Sequence, residues 1–146
     1  MEHAEILKPV AVLAGWTMLM WIWMYATRIP AINKLPKDAT PGADVGWTGA
    51  KLEGLLPGNI QWKAHNYNHL HEAPTVFYAV ALALALMGEG NGLNATLAWA
   101  YVGLRIVHSI FQATINKVMI RFLLFSLSSL VLIALVVHTV MAAFHG

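Results

Sequence analysis

The sequence predicts an all-α integral membrane protein, folded as a four-helix bundle. Two observations carry that reading. Of 146 residues, 58% are hydrophobic and only 11% charged, with mean hydropathy +0.60. A soluble domain carries about 25% charged residues, so the main solvent of this chain is lipid. The apolar residues are also gathered into four stretches, each close to the roughly 20 residues that cross about 30 Å of hydrocarbon. Helices suit such spans because every backbone N–H and C=O is satisfied within the segment. The length fits a single domain over residues 1–146.

The first stretch runs from Pro9 to Ala26 and is closed by Thr27-Arg28. Pro9 fits a first helical turn, where its missing N–H is not needed. The flank (Glu2, Glu5, Lys8) lacks the positive charge of a signal peptide, and the apolar run is too long for one, so a retained helix is expected. The second stretch covers about 66–87, with Pro74 expected to kink it and free the carbonyl of Leu70. The third covers 93–114 and the fourth 122–144. A tight turn, Gly88-Glu89-Gly90-Asn91-Gly92, joins the second to the third. The Arg28–Lys63 connection is long and rich in proline and glycine (Pro30, Pro36, Pro41, Pro57; Gly42, Gly46, Gly49, Gly54, Gly58). Loops of that length are often functional. Trp47 and Trp62 are placed to seat it at the membrane interface.

Topology follows from Lys and Arg. The first connection carries Arg28, Lys34, Lys37, Lys51 and Lys63, and the last carries Lys117 and Arg121. The Glu89–Asn94 turn has neither residue type, and the N-terminus has only Lys8. The positive-inside rule places both basic connections in the cytoplasm and both termini outside. The net charge of +2 does not suggest a nucleic-acid partner, and the lack of cysteine excludes disulfides and thiolate ligands.

The remaining polar groups fall on faces. At 100° per residue, His65, Asn68, His69 and Glu72 share one stripe of the second helix, and His71 points away. Arg105, His108, Ser109 and Gln112 share one stripe of the third. Ionisable groups at membrane depth usually face a bundle interior and carry function. The two stripes therefore suggest one shared polar site, with Glu72 and Arg105 as the expected ion pair. Two other readings stand beside this. Buried polar groups also bind helices together, which is the expected role of Ser126, Ser128, Ser129 and His138. His65, His69 and Glu72 have ligand chemistry for zinc or iron, but no second carboxylate lies within the bundle, and no metal site is expected.

Two local patterns carry a resemblance. One is Asn68-x-x-x-Glu72-x-Pro74-x-x-Phe77-Tyr78; the other is Arg105-x-x-His108-Ser109 followed by Asn116 and Arg121. With four spans, they make the chain resemble the MAPEG family, the membrane-associated proteins of eicosanoid and glutathione metabolism, in a bacterial branch. The resemblance implies a homotrimer in a bacterial inner membrane. It also implies glutathione held between neighbouring subunits near the cytoplasmic face. By position, Asn68 and Glu72 match the second-helix pair of glutathione-binding members, and Arg105 and His108 match their third-helix Arg-x-x-His. Arg121 matches the Arg that stabilises the thiolate. Where those members carry an Arg four residues before the Asn, this chain has Ala64, with Lys63 before it and His65 after. Lys63 and His65 complete the candidate glutathione-binding set. The Asn-to-Glu spacing is four rather than three, and Gln112 replaces a Tyr.

The expected function is a glutathione-dependent transferase or peroxidase acting on lipophilic electrophiles or lipid hydroperoxides. The alternative is a non-catalytic lipid-binding or accessory membrane protein of the same fold. The orientation is directly testable. Of single cysteines replacing Glu2 and Lys51, only the one at Glu2 is expected to react with an impermeant thiol reagent in intact cells. Labelling at Lys51 instead would invert the topology.

Overall fold

A computed structural model describes residues 4–33 and 58–145, and these described residues form five helices. They are α1 (Leu7–Asn33), α2 (Gly58–His69), α3 (Ala73–Leu86), α4 (Leu93–Thr114) and α5 (Val118–His145). Among the described residues there is no β-strand. Trp47, the lysines at 34, 37 and 51 and most of the proline- and glycine-rich connection lie outside the described residues.

Among the described residues three segments are long and apolar enough to cross a membrane: Leu7–Ala31, Gly58–Leu86 and Val118–His145. The expected third span, α4, has 22 residues. At 1.5 Å per residue it is about 33 Å long, but its mean hydropathy is lowered by the polar stripe it carries. That stripe is not turned to lipid. Arg105, His108, Ser109 and Gln112 are all buried, because α4 packs against α1, α2 and α5. The α5 helix in turn packs on α3 and α4, and α1 on α2, α3 and α4. The α4 helix and the paired α2–α3 segment thus form the middle of the bundle, with α1 and α5 on its flanks.

Each helix buries the face that its spacing dictates. On α1 the buried residues are Pro9, Leu13, Thr17, Met20 and Met24, a three-and-four repeat along one stripe. The opposite face presents Met18, Leu19 and Ile22 outward. On α3 the buried residues are Pro74, Phe77, Ala81 and Leu84. Phe77 stacks on Tyr101 of α4 with ring centroids 4.7 Å apart. The α5 helix buries only Ser128 and Leu135, while Phe122, Leu130 and Ile133 among others face outward. An apolar exterior of this kind suits hydrocarbon. At one end of the bundle His138 Nδ1 lies 2.8 Å from Asn94 Oδ1 and joins α5 to α4, the interhelical role expected for His138.

The second span is interrupted rather than kinked. The α2 helix ends at His69, and α3 begins at Ala73 with Pro74 in its first turn. Pro74 has no N–H to give the Leu70 carbonyl. The chain turns between them through His71 N–H to the Asn68 carbonyl (3.0 Å) and Glu72 N–H to the His69 carbonyl (3.1 Å). Glu72 itself leaves helical geometry, at φ −96° and ψ −99°. The first helix, by contrast, continues through Arg28 and Pro30 to Asn33. Pro30 lies so near the C-terminal end that its missing N–H costs the helix one bond without a break.

The turn before α4 is built by glycine and tied to the N-terminal segment. Gly88 and Gly92 have φ of +78° and +65°, a region that glycine enters without cost. The Gly90 carbonyl accepts the Ile6 N–H at 2.9 Å, and Asn91 Oδ1 accepts the Glu5 N–H at 2.9 Å. A Cβ on Gly90 would lie 2.8 Å from Ala4 Cβ and Ile6 Cγ2, and 3.1 Å from Ala85 Cα. Gly90→Ala is therefore expected to destabilise by about 1–3 kcal/mol, the usual cost of overpacking. Thermal denaturation in detergent measures it, and an unchanged midpoint would contradict this packing.

Candidate functional site

The interruption of the second span, the polar stripe of α4 and the first turns of α5 enclose a cavity of about 240 Å³. Its walls are His69, Glu72, Ala73, Arg105, His108, Val118, Arg121, Phe122 and Phe125. Four of the residues expected from sequence therefore share one cavity: Glu72, Arg105, His108 and Arg121. His69, which the wheel placed on the polar stripe, joins them. Two guanidiniums and two imidazoles meet a single carboxylate, so the lining favours an anion. Val118, Phe122 and Phe125 supply an apolar wall, and Phe122 is largely exposed.

Helix geometry positions each group. Arg105 and His108 are one turn apart on the buried face of α4, at 2% and 3% exposure. One Arg105 nitrogen, Nη2, donates to the His69 carbonyl at 3.3 Å. The ion pair expected between Glu72 and Arg105 is not formed, whereas Lys8 and Glu5 pair at the surface, 3.2 Å apart. The cause is the interruption of the span. A continuous helix would keep Glu72 on the face of Asn68 and His69, whereas the turn at 70–72 leaves it exposed at the cavity rim. Arg121 is set by the turn between α4 and α5. Asn116 holds φ +55°, a conformation that Asn tolerates better than most residues, and its Oδ1 accepts Arg121 Nη1 at 2.6 Å.

Several nitrogens of the cavity residues have no protein partner. Arg105 Nε, His108 Nδ1 and Arg121 Nε are buried and unpaired. Buried polar groups are nearly always hydrogen-bonded to protein, water or ligand. Three such nitrogens on residues around one cavity fit an anionic group there.

Lys63, His65 and Asn68 lie outside the cavity lining. Lys63 is buried at 8% exposure and does structural work. Its Nζ donates to the Asn59 carbonyl (3.0 Å) and to the Ala113 carbonyl (3.4 Å), and lies 4.9 Å from the centroid of the Trp23 ring. A cation beside the last carbonyls of α4 is favourably placed. His65 is half-buried and engaged elsewhere, and Asn68 is exposed. The inward line of α2 is instead Lys63 and Asn66, continued by Leu70 just past its end, with Asn66 wholly buried. Among the described residues no three His, Asp or Glu side chains gather as a metal site.

Asn66 belongs to a network that the polar stripes only half revealed. Trp16 Nε1 donates to Ser109 Oγ (3.0 Å), and Ser109 Oγ donates to Asn66 Oδ1 (2.8 Å). One hydroxyl thereby joins α1, α4 and α2. Its signal in the sequence was Ser109 on the α4 stripe; nothing in local spacing marked Trp16 as its partner, 93 residues away.

A profile described as MAPEG family matches residues 6–141. No curated protein and no solved structure matches the chain.

The network makes its own prediction. Ser109→Ala leaves the Trp16 N–H without an acceptor and Asn66 Oδ1 without a donor. The expected loss is about 1–3 kcal/mol, read from denaturation in detergent. In a double-mutant cycle with Asn66→Leu the two changes are expected to be non-additive, and strict additivity would show that the groups do not interact.

Proposed function

The chain belongs to the MAPEG family, and on that premise we propose that it is a glutathione-dependent transferase or peroxidase of the membrane, acting on lipophilic electrophiles or lipid hydroperoxides. The observation that carries the reading is the cavity itself, where Arg105, Arg121, His69 and His108 converge and three of their nitrogens lack protein partners. In this reading the protein is a homotrimer in a bacterial inner membrane with both termini outside, so the cavity lies towards the cytoplasm, within reach of a water-soluble thiol.

The roles follow from the chemistry. Arg105 presents donors that match a carboxylate of the tripeptide, and His108, on the same face, adds a further contact. Arg121 stabilises the thiolate. A free thiol has a pKa of about 8.5 and is mostly protonated at pH 7, and a neighbouring guanidinium raises the reactive fraction. Arginine suits the task because it stays charged and offers a fixed fork of donors, one tine of which Asn116 already orients. The apolar wall of Val118, Phe122 and Phe125 receives the lipophilic partner from the bilayer side. Glu72 and Asn68 are exposed in the single subunit, an exposure that a cleft between copies would use.

Arg121→Lys tests the assignment. It keeps the charge and the membrane anchor but loses the fork. Turnover with glutathione and a general electrophile is expected to fall about 100-fold, the scale for removing one charge-stabilising donor, while the oligomer and its thermal midpoint are retained. If the wild-type protein produces neither thiolate nor conjugate, the enzyme reading fails. The non-catalytic lipid-binding or accessory role then replaces it, with the same apolar wall as its binding surface.

A further inference from the structure

The proposed reaction needs a group that takes the thiol proton, and neither arginine can be that group, since guanidinium does not give up its charge in proteins. Three titratable candidates line the cavity: Glu72, His69 and His108. Glu72 is exposed at the rim and caps no N–H of α3 with its side chain. His108 is buried three residues from Arg105, and its Nδ1 has no partner to set the ring. His69 is different on every count.

His69 is half-buried and is the last residue of α2. Two side chains of α4, two helical turns apart, hold it at two points. Arg105 holds its backbone carbonyl. Gln112 holds its ring: Nδ1 lies 3.1 Å from Oε1 and 2.9 Å from Nε2 of the same amide. Gln112 is only 2% exposed, so water does not compete for that amide. A carboxamide carries one acceptor and one donor. Its oxygen accepts from Nδ1–H, which fixes the neutral ring in the tautomer with a bare Nε2. The same bond persists when the imidazole gains a proton, so the tether is kept in both states and Nε2 is the exchanging nitrogen.

We propose that His69 is the proton-transferring residue of this cavity and Gln112 its positioning residue, a proposal that rests on the thiol-transfer reading above. The arrangement has the form of nucleophile, base and orienting group that recurs in nucleophilic catalysis. His69 Nε2 accepts the proton as the S–H bond breaks, and the thiolate is held by Arg121. The S–C bond forms at the electrophilic carbon, with cleavage of the C–O bond of an epoxide or the π bond of an activated alkene. His69 then returns the proton to the oxyanion or carbanion so produced, and no external oxidant or reductant is required. The charged and titratable groups around it are Glu72 from the interruption itself, Arg105 and His108 from α4, and Arg121 from α5. The bland alternative is that Gln112 and His69 simply fasten α2 to α4.

The experiment uses the full-length protein in detergent, with glutathione and an aryl epoxide, and reads kcat, KM and the pH dependence of kcat/KM. His69→Asn is expected to lower kcat about 100-fold, the scale of general acid–base catalysis, with KM for glutathione nearly unchanged and the histidine limb of the pH profile lost. Gln112→Glu keeps an acceptor for Nδ1 and is expected to retain most activity, whereas Gln112→Met is expected to lose about tenfold. If His69→Asn keeps both the wild-type rate and the pH limb, His69 is not the base, while the transferase reading stands. An equal loss in all three variants with an unchanged pH limb makes the pair a fastening between helices and overturns the proposal. A wild-type protein with no turnover overturns both readings together.

Discussion

Everything in this molecule depends on how α4 carries its polar residues through a bundle whose solvent is hydrocarbon. A charged or amide side chain facing lipid costs several kcal/mol, so Arg105, His108, Ser109 and Gln112 have to turn inward. Once inward, each needs a partner, and the partners set what lies next to α4. Ser109 brings Trp16 of α1 and Asn66 of α2 to one hydroxyl. Gln112 and Arg105 bring the end of α2 against it. Arg105, His108 and, from α5, Arg121 each keep a buried nitrogen without a protein partner, and all three line the cavity. Packing and chemistry share one cause: the helix least suited to lipid is the helix to which the site is attached.

Much of this could be read from residue order. The apolar runs marked where the helices lie, and α4 occupies the expected 93–114. The α4 stripe was legible because a 3.6-residue period holds along an unbroken helix, and all four of its members are buried. Arg105 and His108 line the cavity together for the same reason, and the turn at Asn116 brings Arg121 to it.

What could not be read has a common physical origin. A wheel assumes that the helix continues. On α2 it does not, and the phase of Glu72 relative to Arg105 is lost at residues 70–72. The wheel also ranks residues without knowing where the neighbouring helices stand. It placed Asn68 on the polar face and passed over Asn66, although Asn66 is the wholly buried one and Asn68 is exposed. Lys63 entered the candidate set because it adjoins Ala64, the position where the resemblance leads one to expect an Arg. Its ammonium is instead spent on the carbonyls of Asn59 and Ala113 and the ring of Trp23. Contacts between residues tens of positions apart leave no local trace.

The non-helical joint between α2 and α3 also bears on how this span can vary. In a continuous helix, one inserted residue rotates everything beyond it by about 100°, which would swing the whole outer half off its packing. Here the rotation is absorbed in three residues, because Pro74 starts α3 afresh whatever register α2 ends in. The joint acts as a mechanical clutch: it lets the polar half and the apolar half of one span keep separate phases. The four-residue spacing from Asn68 to Glu72 spans that joint. The joint thus sits between the cavity rim at Glu72 and the stacking of Phe77 on Tyr101 further along the same span.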